Sequence, residues 1–544
     1  MMRLPTLVRL VALVLVAMGG CADSKDPKSL FEGGIGPGRE AASDGSTDGS
    51  SDGAQNGLPK LPEPPAKLIT TKGGRFFDDG EPWQPVGVNY IYPLYSQPFH
   101  FHNTWDWVTA WDSPEFPEID AEAEIAADLT RMHANGVNEI RLFNPHATVT
   151  AGNDPANYPS KERSFCARLT RVLELAGERG IHVALILPFG TGPLPVDNFS
   201  VAASQAAAQQ RMDFPGRVID ACGLASRSEI AGYLVDGEGE VEPPTPAKFK
   251  KRGEPVAVGL WNDWLTERYG SPARAQQKWG ETLRKECLEP EGTAAGNPVT
   301  NACPDLDAWD AGCEKRGTRV CPPRLDAHGN GTPYWGADSN ARRAFVRFTD
   351  WVMNKRFQRL REILKRHDPY HLFGTDSVLQ DGFCSNDIFL RREQTMYLDY
   401  SGVHVYHHQY MPGAHWTVAN YGVGQSFESL KSTAAAIAWM NPTRRAVVIG
   451  EVGVSVLGDC KPGEFCVEGS AAARGQVQAL HVPFEAAIAA TGGAQGLRWW
   501  WWRGQRPMGT YPNPAKPRDV EVSDYGMLEP DTGNLRPTLA ALGR

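Results

Sequence analysis

Several signatures that would settle a chemistry at once are missing from this chain. None of its ten cysteines is spaced Cys-x-x-Cys, which argues against a structural zinc site. No glycine-rich phosphate loop follows the first predicted strand, Gln84-Pro-Val-Gly-Val-Asn89, as a dinucleotide fold requires. Beyond the N-terminal stretch, no segment is long and apolar enough to span a bilayer. A basic excess is absent too: 55 Lys and Arg against 64 Asp and Glu give a net charge of −9, which argues against a nucleic-acid partner. His407-His408 has no carboxylate-rich motif beside it, so the pair is read without a metal and no cofactor is expected. There is no internal repeat.

What is present begins with a leader. Arg3 and Arg9 precede the apolar run Leu10 to Met18 and then Gly19-Gly20-Cys21. Residues 1–20 therefore read as a signal peptide, too short in its apolar core to cross a membrane comfortably. Small residues abutting a cysteine resemble the bacterial lipoprotein box, which would make Cys21 the lipidated first residue of an exported, membrane-anchored chain. An ordinary cleaved signal with a chance cysteine, giving a secreted protein, is the alternative. Residues 21–66 are rich in Gly, Ser, Asp and Pro; they cannot bury enough surface to offset ordering entropy and read as a linker. The domain spans 67–544, about 475 residues. In an exported chain the nine cysteines after Cys21 are disulfide candidates, with Cys287, Cys303, Cys313 and Cys321 in one cluster and Cys460 and Cys466 in another.

Within the domain, strands and helices alternate. Strands are expected at 84–89, 138–143, 182–187, 230–236, 371–375, 400–406, 447–451 and 496–502, with helical spacing between them at Ile125, Leu129 and Met132 and at Phe165, Leu169, Val172 and Leu173. Between the fourth and fifth strands the rhythm breaks. Residues 241–338 carry many Pro, Gly and charged residues and the cysteine cluster, and read as an insertion stapled by disulfides, with one helical stretch from Trp261 to Trp279. Eight strands alternating with helices favour a (β/α)8 TIM barrel, with a doubly wound sheet as the poorer alternative.

Arg444 to Gly453 carries the most information about chemistry. Val447-Val448-Ile449 reads as a strand buried on both faces, and it runs through Gly450 into Glu451. A carboxylate at the C-terminal end of a barrel strand is badly placed for packing and well placed for a reaction. A second carboxylate group follows strand four, in Asp236-Gly237-Glu238-Gly239-Glu240. Two carboxyl groups about 5 Å apart would suit a retaining glycosidase, and strands distant in sequence can supply them because all strand ends meet at one face.

The order of these parts resembles the clan A glycoside hydrolases. Gly80-Glu-Pro-Trp-Gln-Pro-Val-Gly-Val-Asn-Tyr90 and Val448-Ile-Gly-Glu-Val-Gly453 are similar to the first strand and the nucleophile strand of the family 5 cellulase and mannanase group. Ile230 to Glu238, followed by Trp264-Leu-Thr-Glu-Arg-Tyr-Gly270 and Trp279-Gly280, resembles family 42 β-galactosidases. The resemblance implies a retaining hydrolase of β-linked oligosaccharides or polysaccharides, with Glu451 as nucleophile and Glu238 as acid/base. It departs from the family at Gly237, where an Asn is usual, which leaves Glu240 as an alternative acid. It also leaves open a catalytically inactive carbohydrate-binding lipoprotein on the same barrel.

Arg141 matches the family's arginine beside the nucleophile, and His404 and Tyr406 match its His-x-Tyr strand; all three are expected to contact substrate or orient Glu451. From Trp499 to Trp502, either Trp500 or Trp502 is expected to form a sugar platform. Asn89 and Tyr90 at the end of strand one complete the expected substrate contacts, while Tyr92, Trp105 and Trp107 are candidates for further subsites.

Overall fold

The computed structural model describes residues 62–90, 120–142, 158–187, 213–234, 254–280, 340–379, 397–405, 415–416, 445–453, 466–467, 471–491, 493–500, 502, 526–528 and 534–542. The chain enters the fold through an antiparallel meander, β1 (Ile69–Lys72), β2 (Arg75–Asp78) and β3 (Glu81–Trp83). Its two hairpins turn on Gly73-Gly74 and Asp79-Gly80, all four with positive φ. Two-residue loops of this kind match the twist of the strands they join. The meander is absent from the eight strands expected above, although Gly-Gly and Asp-Gly between short apolar runs are its signal.

Eight strands then close a barrel: β4 (Val86–Tyr90), β5 (Glu139–Leu142), β6 (His182–Ile186), β7 (Ile230–Leu234), β8 (Leu372–Leu379), β9 (Tyr400–Val405), β11 (Ala446–Val452) and β13 (Leu497–Trp499). A short β10 (His415–Trp416) and β12 (Cys466–Val467) pair with each other outside it. The barrel strands follow chain order, and every neighbouring pair is parallel, including the closing pair β13–β4. This is the (β/α)8 arrangement.

Helices cover the outside. In the helix Ala121–Ala134, Asp120 accepts from the amide of Ala123 as the N-cap, and Ile125, Leu129 and Met132 are fully buried at one-face spacing. These residues pack with Val88, Ile140 and Leu142 in the outer core. The stretch expected as one helix from Trp261 to Trp279 is two, Glu254–Tyr269 and Pro272–Trp279. Gly270 breaks it with φ of 84°, and Ser271 caps the second helix ahead of Pro272. The insertion beyond residue 280, with its cysteine cluster, lies outside the described residues. A disulfide is found elsewhere, joining Cys166 of the helix Tyr158–Gly177 to Cys222 of the helix at 213–222.

The N-terminal end of the barrel is sealed. Ile69 and Phe76 of the meander belong to the inner cluster with Leu372, Tyr400 and Ala446, the first residues of their strands, and with Ala184 and Val448 further along theirs. Beside this floor lies a buried polar network. Asp368 accepts from the Tyr233 hydroxyl at 2.7 Å and from the amides of Tyr370 and His371, and it meets His371 Nδ1 at 2.6 Å. His371 Nε2 meets the Arg227 carbonyl at 2.9 Å. Burial opposes the charge on Asp368, but its hydrogen bond and charge interaction with His371, together with the Tyr233 hydroxyl, hold the carboxyl below its ordinary 3.8. Burial, then the Asp368 charge, pushes the Tyr233 hydroxyl well above its usual range; it remains a donor.

Two stability predictions follow from these contacts. A crosslink over a separation of 56 residues contributes at most about 4 kcal/mol in the chain-entropy model. Replacing both Cys166 and Cys222 by Ser is expected to lower the urea midpoint, and finding both thiols free in the native protein would refute the pairing. Because the Asp368 carboxyl is depressed, its contribution is full above the unfolded value and is lost as pH falls through the folded one. Asp368→Asn is therefore expected to cost about 3 kcal/mol at pH 7, with the difference from wild type shrinking below about pH 4. A pH-independent difference in unfolding free energy would refute this.

Candidate active site

Strand alternation decides which side chains enter the barrel. On β5, Ile140 and Leu142 belong to the outer core, so Glu139 and Arg141 point inward. On β4, Val88 and Tyr90 face the helices, and Gly87 and Asn89 face in. On β13, Leu497 and Trp499 face out and Arg498 faces in.

The same rule applied to β11 gives the wrong answer for Glu451. Val447 and Ile449 lie in the outer core, so strict alternation would send Glu451 outward as well. Instead the register slips. Ile449 pairs with Val403 and Glu451 with His404, which leaves Gly450 as an extra residue. The pairing with β13 shifts at the same place. This β-bulge reverses the alternation, so Glu451 turns inward and Val452 takes the outer-core position. An isolated Gly in an otherwise unbroken β-branched run is the sequence signal for such a bulge.

Two ion pairs result, one above the other along the barrel axis. In the lower one, Arg498 Nε and Nη2 donate to the two carboxylate oxygens of Glu139 at 2.7 and 3.0 Å. Gly87 makes room for it: a Cβ there would lie 2.8 Å from Arg498 Cγ. In the upper one, Arg141 Nη1 donates to Glu451 Oε1 at 2.5 Å and to Asn89 Oδ1 at 2.7 Å. Asn89 Nδ2 donates in turn to the carbonyls of Gly450 and Trp499, at 3.1 and 3.2 Å. Arg141 and Asn89 are fully buried, and Glu451 is 2% exposed.

Stability alone gives little reason for this arrangement. Barrel interiors are ordinarily filled by Val, Ile and Leu, and exchanging a buried ion pair for apolar residues is often neutral or stabilising. What the upper pair achieves is a carboxylate fixed against a guanidinium and aimed inward at the C-terminal end of a strand, the end at which barrel enzymes keep their reacting groups.

The other sequence-expected residues divide into three groups. His404 is the register partner of Glu451 on the neighbouring strand. Trp500 is half-buried and packs against the inner cluster. Two residues are placed otherwise than expected. Tyr90 turns to the helix layer and donates to Asp128 at 3.1 Å, because it alternates with the inward Asn89. Trp502 is 1% exposed in the outer core, its amide bonded to the Asn89 carbonyl; a ring so covered has no face for a sugar. Outside the described residues lie Cys21, Tyr92, Trp105, Trp107, Glu238, Glu240, Tyr406 and the His404 side chain. Sequence reasoning missed the Gly450 bulge, the links made by Asn89 and the Glu139–Arg498 pair.

No protein-family model and no curated protein matches the chain. Among solved structures, an exo-β-agarase is similar at 12% identity with a TM-score of 0.49, covering 89% of this chain and 65% of its own. A β-galactosidase from the haloarchaeon Halorubrum lacusprofundi is similar at 14% identity and a TM-score of 0.45, with 84% and 57% covered. A GH5_18 protein from Streptomyces cattleya, in complex with Manb1-4GlcNAc, shows 15% identity and a TM-score of 0.42, with 84% and 78% covered. This chain thus spans less than two thirds of the length of the agarase and the β-galactosidase.

The upper ion pair makes a testable demand. Arg141→Met strands a buried carboxylate and is expected to lower unfolding free energy by about 3–5 kcal/mol. Arg141→Met combined with Glu451→Leu is expected to recover most of that loss in the same urea titration. Equal losses in the single and double variants would show that Glu451 does not depend on Arg141 for its charge.

Proposed function

We propose that this chain is a glycoside hydrolase that cleaves β-linked oligosaccharides or polysaccharides with retention of configuration. The observation that carries the reading is the Glu451 carboxylate, turned inward by the Gly450 bulge and paired with Arg141 at the C-terminal end of its strand. A metal-free double displacement needs such a group as nucleophile. In the proposed cycle a Glu451 oxygen attacks the anomeric carbon as Glu238 transfers its proton to the departing glycosidic oxygen. Glu238, now a carboxylate, takes a proton from water, and that water's oxygen displaces Glu451 from the glycosyl ester. Two inversions at one carbon leave the configuration unchanged. Arg141 keeps Glu451 anionic and fixed in direction, and Trp500 offers an aromatic face to the sugar. Export with lipidation at Cys21 belongs to the same proposal and rests on the leader and on Gly19-Gly20-Cys21.

The test is hydrolysis of a panel of aryl β-glycosides and of β-glucan, mannan and galactan polymers by wild type and Glu451→Gln. With the fold retained, the variant is expected to lose turnover by on the order of 10³-fold or more. The first-formed product, followed by NMR, is expected in the β configuration. An α product would assign an inverting mechanism and a different role to Glu451. A wild type that binds oligosaccharides and cleaves none would replace the hydrolase with a carbohydrate-binding barrel.

A further inference from the structure

Asn89 is placed unlike a substrate contact. Its amide has two N–H donors, and both are spent on backbone carbonyls, those of Gly450 and Trp499. Its oxygen accepts from Arg141, and the residue is fully buried. The opposite amide orientation would set an NH2 against the guanidinium and an oxygen against two carbonyls, so the surroundings fix which way it points.

The two carbonyls it serves are also particular. Gly450 is the extra residue of the bulge, and a bulged residue is left out of the strand ladder. Trp499 is the last residue of β13, the three-residue strand that lies between β4 and β11. Where that strand stops, the Asn89 side chain reaches across it from β4 to β11. A single side chain thus touches both structures that set the direction of Glu451: the bulge that turns it inward and the guanidinium that holds it.

We propose that Asn89 is a positioning residue for Glu451, holding the Gly450 bulge through its amide nitrogen and the Arg141 guanidinium through its amide oxygen. This rests on reading Glu451 as the nucleophile. Without Asn89, the bulge carbonyl loses its donor and Arg141 loses the acceptor that orients it, so the carboxylate samples directions that cannot reach the anomeric carbon.

Steady-state kinetics of wild type and Asn89→Ala on the best substrate of the panel, with thermal unfolding of each, tests this. The expected result is a folded variant with kcat lowered about 100-fold, KM within threefold, and the acid limb of its kcat/KM pH profile moved upward because a looser guanidinium favours the ionised carboxyl less. A lowered melting temperature with unchanged kcat and pH profile would reduce Asn89 to a strut of the barrel. A raised KM with unchanged kcat would make it a substrate contact instead. If Asn89→Ala does not fold, Asn89→Ser, which keeps one donor, takes its place. If wild type hydrolyses nothing, the hydrolase reading fails on its own, and a crystal structure of the variant decides the present one. There the Arg141 to Glu451 contact is expected to open, and an intact pair with the bulge in place would overturn the proposal.

Discussion

A carboxylate buried inside a closed barrel demands a partner for its charge, and the upper half of this structure is arranged around that requirement. Removing such a group from water carries an effective penalty of several kcal/mol even after relaxation. The penalty is tolerable only beside a fixed opposite charge. Arg141 supplies it, but a guanidinium on a long side chain is itself free to turn unless something accepts its other donors. Asn89 does so from the adjacent strand, and its amide nitrogen reaches to the bulge that set the direction of Glu451. Direction, charge and orientation thus come from three strands, β11, β5 and β4, and they meet because closing the barrel brings first and seventh strands within one side chain's reach across a short eighth.

The lower pair serves a different end. Arg498 gives Nε and Nη2 to the two oxygens of Glu139, a bidentate geometry that the planar fork suits. Beneath it the interior is apolar and capped by Ile69 and Phe76. The Asp368 network sits at the same N-terminal end, where residues in barrels hold the fold rather than react. The polar interior is therefore graded, from a sealed floor through a closed ion pair to one that is shared among Glu451, Arg141 and Asn89.

Much of this was legible in the sequence, and the reason differs from residue to residue. Buried parallel strands are continuous β-branched or apolar runs, so Ala446 to Val452 and His182 to Ile186 stand out without any structure. The helices around them announce themselves by spacing and by stops such as Asn135-Gly136. Pairings are another matter. Cys166 and Cys222 are brought together by helix packing, and nothing in their spacing distinguishes them from the other cysteines. The meander was missed because its strands are three or four residues long and carry no clear apolar period, although the turns at Gly73-Gly74 and Asp79-Gly80 were readable. The break at Gly270-Ser271-Pro272 was also readable, and aromatic spacing across it concealed it.

Motif and parity give different readings at the end of the first strand. Asn89 and Tyr90 are neighbours, and a motif treats both alike as the polar end of the first strand. A period of two sends one into the barrel and the other into the helix layer, so at most one of them can approach a ligand from that strand. The bulge shows the same principle from the other side. Counting from Ile449 by twos puts Glu451 among the helices, where an unpaired carboxylate would be intolerable. One extra glycine removes that conflict at the cost of a ladder position, and the side chain of Asn89 fills it. A motif can thus single out a carboxylate while saying nothing of the residue that turns it inward.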